Sequence, residues 1–340
     1  MNFARGLFLV LILAGSACGG ASDSANPGIG QGGTSAGVAQ GAGLLPEASG
    51  QVLPANQAAN PTPGFQPSGA VVSGGLSPET LAYSTAPAPA RVSEGDPPPV
   101  TAPFVAIVDE DSGAMLYSQQ PEVRVPIAST TKIATTLVAL EREPDLQRVI
   151  PITIDGGAMA AADGSQVMGL EPGEQLHLET LLYGMMLWSG NDAAEQVAVG
   201  LADGSRDRYV GWMNQLAASL GLRNTHFANP SGMDADGHYS SASDMAYLAR
   251  FAMRDANFRR LAGSRLFEGE GYILPNINRL LAAYPGADGV KIGYTDDAQR
   301  TMIASATRDG HRVFVSFMRS ADLVGDATTL LDWVWRTFRW

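Results

Sequence analysis

The feature that most constrains the fold is the position of the strand patterns, which occur only at the two ends of one region. The segment "FVAIVDEDSGAMLYS" (104–118) has two apolar runs around an Asp-Ser-Gly turn, which indicates a β-hairpin. Strand patterns return only near the end of the chain, in "GVKIGYT", "TMIASAT" and "HRVFVSFM". Because short connections join these last strands, we expect them to pair antiparallel. One sheet built from both ends of the region is therefore predicted.

Helical periodicity fills the sequence between these strands. The segment "ASTTKIATTLVALERE" (128–143) places Ile133, Leu137 and Leu140 on one face. Further helical stretches are "HLETLLYGMMLW", "DRYVGWMNQLAASLG" and "SASDMAYLARFAMR", and an amphipathic segment "DATTLLDWVWRTF" follows the last strand. Ser243 is predicted to be the N-cap of the third stretch. The class is predicted as α+β, with an antiparallel sheet of about five strands and a helical cluster packed against it.

The first 17 residues have the pattern of a secretory signal. Arg5 gives a basic start, and an apolar run "LFLVLIL" that is too short to span a bilayer follows it. Cys18, the only cysteine, lies where a bacterial lipoprotein signal has its lipid acceptor, although Gly15 stands where such signals carry Leu. We expect residues 1–17 to be a lipoprotein-type signal peptide. The mature protein would be lipid-anchored at Cys18, on the outer face of the cytoplasmic membrane or in the cell-wall space. Ordinary cleavage after Ala17 is the alternative.

Residues 18–100 are dominated by Gly, Ala, Ser, Pro and Gln and show neither helical nor strand periodicity. Such a composition cannot bury enough apolar surface to offset the entropy of ordering. We expect a disordered tether with an r.m.s. reach of roughly 50 Å, followed by a folded domain over 101–340. The net charge of −12 and a pI near 4.7 argue against nucleic acid as a partner.

Lysine is almost absent from this chain. Lys132 and Lys291 are the only two lysines among 22 basic residues, so all the others are arginine. Arginine keeps its proton in proteins, whereas burial can lower the pKa of a lysine until it acts as a base. Each lysine is therefore a candidate for chemistry, with codon bias as the alternative. Lys291 lies in the segment "ADGVKIGYT" (287–295), whose other residues have the pattern of a buried strand.

Two short patterns accompany these lysines. Ser129 precedes Lys132 by three residues at the start of the first predicted helix, so both side chains would point to the same side. The helix dipole would stabilise a developing oxyanion there, and the amine could take the hydroxyl proton. Alone, this spacing is a weak signal and is usually explained by an N-cap serine and a solvated lysine. A Ser-Gly-Asn turn at Ser189 separates two helical patterns, where Asn191 could serve only as an N-cap.

Taken together, the segments resemble the serine D-alanyl-D-alanine carboxypeptidases, the low-molecular-weight penicillin-binding proteins of peptidase family S11. The family motifs Ser-x-x-Lys, Ser-x-Asn and Lys-Thr-Gly correspond in order to Ser129–Lys132, Ser189–Asn191 and Lys291–Gly293. Segments between the motifs, such as "LGLRNTHFANPSGMD" and "HYSSASDMAYLAR", also look like family segments. The resemblance extends from about residue 104 to residue 338. It implies a β-lactamase/DD-peptidase-like fold.

The resemblance also implies catalytic roles. Ser129 would attack the carbonyl of the penultimate D-Ala of a peptidoglycan stem peptide, with release of the terminal D-Ala and formation of an acyl-enzyme that water hydrolyses. Lys132 would be the general base, kept neutral by burial and by the second lysine. Ser189 would relay the proton to the leaving amine. Asn191 would hold Lys132 and the substrate amide in place.

Three further residues would bind the substrate. Lys291 would attract the terminal carboxylate, or the carboxylate of a β-lactam acting as an inhibitor. Gly293 belongs to the same motif. The backbone N–H of Tyr294, with that of Ser129, would bind the oxyanion. The implied partners are a peptidoglycan stem peptide, β-lactams and, through the lipid anchor, a membrane.

Two positions depart from the family pattern. Ile292 stands where the family has Thr and cannot donate to the substrate carboxylate, a bond worth about 1.5–3 kcal/mol. Gln299 stands where the family tends to have Gly. Two alternatives stay open. A β-lactamase-like hydrolase is opposed by the lack of a Glu-x-x-Leu-Asn segment, and a catalytically impaired wall-binding or β-lactam-sensing protein is suggested by Ile292.

Histidine-based chemistry and metal binding are not expected. The four histidines, His177, His226, His238 and His311, show neither zinc-ligand spacing nor a triad pattern. The segment "DADGH" (234–238) lacks the Gly and Glu positions of an EF-hand loop. We therefore expect no metal and no cofactor, and histidines that are structural or exposed.

Overall fold

The computed structural model describes residues 86–340; the predicted signal peptide, Cys18 and most of the predicted tether lie outside the described residues. The strands are β1 Ala90–Arg91, β2 Phe104–Asp109, β3 Met115–Gln119, β4 Val149–Pro151, β5 Gln175–His177, β6 Leu266–Gly269, β7 Tyr272–Pro275, β8 Ala287–Thr295, β9 Gln299–Arg308, β10 His311–Met318 and β11 Phe338–Arg339. The helices are α1 Lys132–Arg142, α2 Gly156–Asp163, α3 Leu178–Met186, α4 Asn191–Leu201, α5 Arg206–Ser219, α6 Ala242–Ala252, α7 Ala256–Gly263, α8 Leu280–Ala283 and α9 Leu323–Thr337. No helix within 86–340 is long and apolar enough to span a membrane.

Five strands form one antiparallel sheet in the order β3-β2-β10-β9-β8. The hairpin of β2 and β3 from the start of the domain pairs with β10 from its end, in a register that runs from Asp109 opposite Val313 to Phe104 opposite Met318. Strand β8 forms one edge of this sheet. The predicted α+β class and the sheet built from both ends are therefore confirmed.

Apolar side chains cover both faces of the sheet. On one face, Phe104 and Ala106 of β2 belong to a large core shared with the helical cluster. On the other face, Val105 and Ile107 pack in a second core with α9, which contributes Leu331 among others. Because both faces are buried, β2 has a continuous apolar run where a half-exposed strand would alternate. The terminal amphipathic segment thus forms a layer of its own.

The helical predictions match the structure except at one cap. The N-cap of α6 is Ser241, whose side chain accepts a hydrogen bond from the N–H of Asp244. Ser243, which the sequence favoured, lies inside the helix, and its N–H donates to the carbonyl of Pro121. The prediction of Ser243 as N-cap is wrong because several serines precede the apolar run and only tertiary contacts select between them. The short elements β4 to β7, α2, α7 and α8 were not predicted.

The predicted boundary between tether and domain at residues 100 and 101 also needs correction. Ala90–Arg91 pair antiparallel with Phe338–Arg339 at the end of the chain. Nearer the sheet, the N–H of Thr101 donates to the carboxylate of Asp326 over 2.8 Å. The folded part therefore begins before residue 101. Composition could not reveal this, because the pairing partner lies at the opposite end of the domain.

Candidate active site

The three sequence motifs meet at the β8 edge of the sheet. A 3-10 turn over Ala128–Thr131 leads into α1, the loop between α3 and α4 approaches from the helical cluster, and β8 forms the opposite wall. Between them lies a cleft of about 550 Å³. Five of the predicted site residues line it: Ser129, Ser189, Asn191, Gly293 and Tyr294. The two lysines are buried behind this surface.

Lys132 is fully buried and has three polar partners. Its Nζ lies 2.7 Å from Ser129 Oγ, 2.7 Å from Asn191 Oδ1 and 2.6 Å from the carbonyl oxygen of Ser231. A neutral amine has two N–H donors and one lone pair, which match the two carbonyl oxygens and the serine hydroxyl. The neutral lysine can therefore accept the Ser129 proton without any rearrangement of its partners.

The pKa of Lys132 is held well below its ordinary value of 10.5. Burial is the main cause, since it disfavours the charged ammonium, and the positive charge of Lys291 lowers the pKa further. The carboxylates of Glu195 and Asp192 act in the opposite direction. The net direction is the one that a general base requires at neutral pH.

Two glycines let the backbone close around the serine. A Cβ on Gly293 would lie 2.8 Å from the backbone N of Ser129. A Cβ on Gly232, whose φ is +90°, would lie 2.0 Å from the carbonyl oxygen of Ala128. Both distances are shorter than any side chain tolerates, so only glycine allows β8 and the loop around residue 232 to approach the nucleophile this closely.

The loop between α3 and α4 aims two polar side chains at the cleft. Ser189 adopts a left-handed conformation with φ of +67°, and Gly190 occupies the N-cap position of α4. Asn191 is the first residue of the helix. Its Oδ1 accepts from Lys132, while its Nδ2 donates to Ser165 Oγ over 3.2 Å. The alternative in which Asn191 serves only as an N-cap is therefore wrong.

Lys291 lies on β8 and is only 1% exposed. Its Nζ donates to Ser189 Oγ over 3.0 Å and to the carbonyl of Ile292 over 2.9 Å. Within the described part of the chain these are its only hydrogen bonds, so a third donor remains available to a ligand. Burial lowers the pKa of Lys291 to about 7. A carboxylate bound beside it would stabilise the ammonium form.

Sequence reasoning missed the loop that closes the site behind Lys132. The carbonyl of Ser231 is one of the three lysine partners, and a backbone group leaves no signal in the side-chain pattern.

His238 is buried, and its Nε2 lies 2.8 Å from Thr131 Oγ1 while its Nδ1 accepts from the N–H of Ala228. Burial lowers the pKa of His238 to about 4. The neutral imidazole thus supports the turn that carries Ser129.

A buried carboxylate orders a second wall of the cleft. Asp192 is fully buried, and its oxygens accept the backbone N–H groups of Met168, Gly169 and Leu170. These three bonds satisfy the buried charge. They attach the loop that leads into the cleft to the start of α4, next to Asn191. The sequence contains this aspartate beside a motif residue, but the bond pattern could not be read from it.

The two departures from the family pattern have different settings. Ile292 lines the cleft and packs against the core beneath α9. Gln299 has φ of +55°, in the left-handed region that favours glycine. A residue after Ala298 must adopt this conformation to begin β9, which is the physical reason for a glycine there.

Across residues 86–340, no group of three or more His, Cys, Asp or Glu side chains is placed to hold a metal ion.

A serine hydroxyl in contact with a buried lysine of lowered pKa is the arrangement of serine–lysine acyl-transfer sites. A family model described as D-alanyl-D-alanine carboxypeptidase matches residues 91–321. The chain is 36% identical to the D-alanyl-D-alanine carboxypeptidase DacF of Bacillus subtilis over 211 residues, which cover 61% of this chain and 54% of that relative. This chain belongs to the D-alanyl-D-alanine carboxypeptidase family, peptidase S11.

Other relatives and a solved structure agree with this assignment. The chain is 36% identical to DacA of Escherichia coli, with 71% of this chain and 62% of the relative covered. The crystal structure of the Streptomyces K15 DD-transpeptidase superposes with a TM-score of 0.66 at 29% identity, covering 70% of this chain and 98% of that one. The predicted DD-peptidase-like fold is confirmed. The matched region spans 54% and 62% of the DacF and DacA relatives.

Proposed function

We propose that this protein is a serine D-alanyl-D-alanine carboxypeptidase that removes the terminal D-Ala from peptidoglycan stem peptides. The observation that carries the proposal is the 2.7 Å contact between Lys132 Nζ and Ser129 Oγ, in a setting where the other two lysine partners are carbonyl oxygens. Such a lysine has to be neutral to accept a proton from the serine. Membership of the family supports the substrate class.

Acylation would begin when Lys132 takes the proton of Ser129 as Oγ attacks the carbonyl carbon of the penultimate D-Ala. The carbonyl oxygen becomes an oxyanion, which the backbone N–H groups of Ser129 and Tyr294 would bind. The close approach of β8 to the serine at Gly293 supports this pairing of donors. The turn that carries Ser129 and the edge strand β8 would thus both stabilise the same tetrahedral intermediate.

Collapse of the intermediate would break the C–N bond and release D-Ala. The leaving nitrogen needs a proton, and Ser189 Oγ would relay to it the proton that Lys132 took from Ser129, which returns Lys132 to the neutral amine, while Ser189 accepts a hydrogen bond from Lys291. Asn191 would keep the Lys132 amine aimed at the reacting centre through its Oδ1. Water would then attack the acyl-enzyme, with Lys132 again as the base.

Recognition would take place along β8. Lys291 would attract the terminal carboxylate of the stem peptide or the carboxylate of a β-lactam, using its remaining N–H donor. An edge strand also offers free backbone groups that can pair with an extended peptide. β-Lactams would therefore acylate Ser129 and inhibit the enzyme.

We also propose that the protein is exported through the signal peptide of residues 1–17 and anchored by a lipid on Cys18, with the following segment as a tether. The apolar run before Cys18 supports this proposal. The Cys18→Ser variant, expressed in a bacterium that processes lipoproteins, is expected to leave the membrane fraction. A wild-type protein whose mature N-terminus carries no lipid by mass spectrometry would contradict the anchor.

The test of the catalytic proposal combines two measurements on the purified protein. Incubation with a D-Ala-D-Ala pentapeptide should release D-Ala, and incubation with benzylpenicillin should add its mass to the protein at Ser129. Both signals should vanish in Ser129→Ala and persist in Ser219→Ala, a matched substitution on α5 that lies away from the cleft. A wild-type protein that neither releases D-Ala nor forms the penicillin adduct would contradict the proposal. Rapid penicillin turnover without D-Ala release would favour a β-lactamase-like hydrolase instead.

A further inference from the structure

Glu195 lies on α4 one turn after Asn191, so the two side chains point to the same side of the helix. Asn191 contacts the amine of Lys132 directly. Glu195 takes part in no step of the proposed acyl transfer, although its side chain is only 13% exposed. A carboxylate that is covered to this extent needs partners for its charge, and these partners show what the residue does.

The carboxylate of Glu195 joins a buried serine to an arginine at the surface. Ser231 Oγ donates to Glu195 Oε1 over 3.0 Å, and Arg206 Nε donates to Glu195 Oε2 over 2.7 Å. The Ser231 hydroxyl has a second, more distant acceptor in Asn229 Oδ1, at 3.3 Å. A hydroxyl has one proton to donate, and a charged acceptor binds it more strongly than a neutral one. Glu195 is therefore the main partner of this hydroxyl.

Ser231 is also the residue whose carbonyl oxygen lies 2.6 Å from Lys132 Nζ. It thus contacts Glu195 through its side chain and the general base through its backbone. The preceding carbonyl, that of Pro230, accepts from Thr135 Oγ1 over 2.6 Å and attaches the loop to α1. The Ser231 hydroxyl attaches the same loop to α4. Without this second attachment, the Ser231 carbonyl could shift relative to the amine that it binds.

Four ionisable groups surround the amine of Lys132. Lys291 on β8 lowers the pKa of Lys132, whereas Glu195 and Asp192 on α4 raise it. His238 is neutral at working pH, since burial lowers its pKa to about 4. Asp192 is held by three backbone N–H groups of another loop. Of the two carboxylates, Glu195 is the one that also hydrogen-bonds to a residue binding the amine.

We infer that Glu195 is a positioning residue of the acyl-transfer site, which holds the Ser231 carbonyl against the amine of Lys132. Arg206 in turn holds Glu195. The inference rests on the proposed carboxypeptidase function and adds to it a hydrogen-bonded path to the general base from the surface, where Arg206 is 44% exposed. A nearby negative charge favours a bound proton. Glu195 thus keeps the amine basic enough to take the Ser129 proton, while burial keeps it neutral.

The test follows the second-order rate constant for acylation of Ser129 by benzylpenicillin between about pH 4 and pH 9. Glu195→Gln removes the charge but keeps an oxygen that can accept from the serine. The acid limb of the profile, which follows Lys132, should move to lower pH, and the maximal rate should fall about two- to fivefold because the base is weaker. Arg206→Gln leaves the carboxylate uncompensated, so the acid limb should move to higher pH. The alkaline limb, which follows Lys291, should stay in place in both variants, because burial sets the pKa of that lysine.

A second arm changes the geometry without changing the charge. Ser231→Ala keeps the backbone carbonyl and removes the hydroxyl, so the maximal rate should fall about three- to tenfold through displacement of the carbonyl. Its acid limb should move less than that of Glu195→Gln. The matched control is Arg208→Ala, an exposed arginine on α5 that pairs with Asp203, and it should change neither the rate nor the limb.

Acid limbs that move in opposite directions in Glu195→Gln and Arg206→Gln would support the inference, because a general loss of stability has no such sign. If Glu195→Gln does not fold, as judged by thermal unfolding, the direction seen in Arg206→Gln decides, since that side chain lies at the surface. An acid limb that stays in place in the folded variants would overturn the inference, and the carboxypeptidase proposal would still stand. A wild type that is neither acylated nor able to release D-Ala would overturn both.

Discussion

Two walls of the cleft differ in how completely the protein satisfies its own polar groups. The nucleophile wall is formed by the turn Ala128–Thr131 and α1, and the β8 wall, or recognition wall, is formed by β8 and the start of β9. On the nucleophile wall, Lys132 has a partner for every hydrogen-bonding position, in a fully buried site. On the β8 wall, Lys291 Nζ has two hydrogen-bond partners in the described part of the chain, and one of its donors remains free. The folded protein alone therefore completes the proton-transfer geometry. On the β8 wall, the free donor of Lys291 is available to the carboxylate that the proposed function requires.

Backbone strain shows the same contrast. On the nucleophile wall, Ala128 and Ser189 have φ values of +48° and +67°, and both lie in buried surroundings that hold them. On the recognition side, Gln299 has φ of +55° but is exposed. Left-handed conformations cost about 1–2 kcal/mol outside glycine. Strain at the nucleophile is thus enforced by packing, whereas strain at Gln299 has no visible support from its surroundings.

The largest expected effect would come from breaking the nucleophile wall with Lys132→Met. Loss of the base should lower the rate of Ser129 acylation by about 10²- to 10⁴-fold. Because Met cannot donate to the buried oxygens of Asn191 and Ser231, the variant should also unfold at a somewhat lower temperature than the wild type. Stopped-flow acylation and thermal unfolding together check both parts. A loss of less than tenfold would show that another group serves as the base.

The contact between the two walls can be broken at Gly293. In Gly293→Ala the new Cβ would lie 2.8 Å from the backbone N of Ser129, so β8 must move away from the nucleophile. We expect acylation to slow by about 10- to 100-fold, since displacements of about 1 Å at a reacting centre have effects of this size. Gly211→Ala on α5 is the matched control, because nothing lies within 4 Å of its added Cβ. Equal rates in the two variants would contradict the proposed closeness of the walls.

The pH dependence should separate the two lysines. Lys132 works as the neutral amine, so kcat/KM should rise with pH through its lowered pKa. Lys291 works as the cation and loses its proton near pH 7 in the free enzyme, so its titration should make kcat/KM fall above that pH, by up to about tenfold per pH unit. In Lys291→Arg this alkaline fall should disappear, because arginine stays protonated. The assay is peptide hydrolysis across the pH range. Persistence of the fall in Lys291→Arg would assign it to another group.

The smallest expected effect concerns the unsupported strain at Gln299. Gln299→Gly removes the left-handed penalty of about 1–2 kcal/mol and adds an entropic penalty of about 0.5–1 kcal/mol. A net gain in the free energy of unfolding of up to about 1 kcal/mol should follow, measured by urea denaturation. Gln299→Ala keeps the strained conformation and should show no such gain. If both variants shift equally, the left-handed conformation is not the cause.

Much of the sheet could be predicted because its strands are long and strongly patterned. Strand β10, at His311–Met318, has the bounds of its predicted apolar run. The pairing of β1 with β11 could not be predicted, since two residues carry no period and the partner is at the far end of the chain. The same holds for the N-cap of α6, where Ser241 and Ser243 are equivalent as sequence and only the contact of Ser243 with Pro121 distinguishes them.

The sequence by itself determined the class of the fold, the three motifs and the choice of lysine over arginine at Lys132 and Lys291. These features are local, because periodicity and residue type are readable within one segment. Only the tertiary structure decided that the carbonyl of Ser231 completes the lysine's partners, that Asn191 aims at Lys132, and that Glu195 contacts the hydroxyl of Ser231. Such groups become neighbours through chain folding over long sequence separations, and their hydrogen bonds and lowered pKa values exist only once they are buried together.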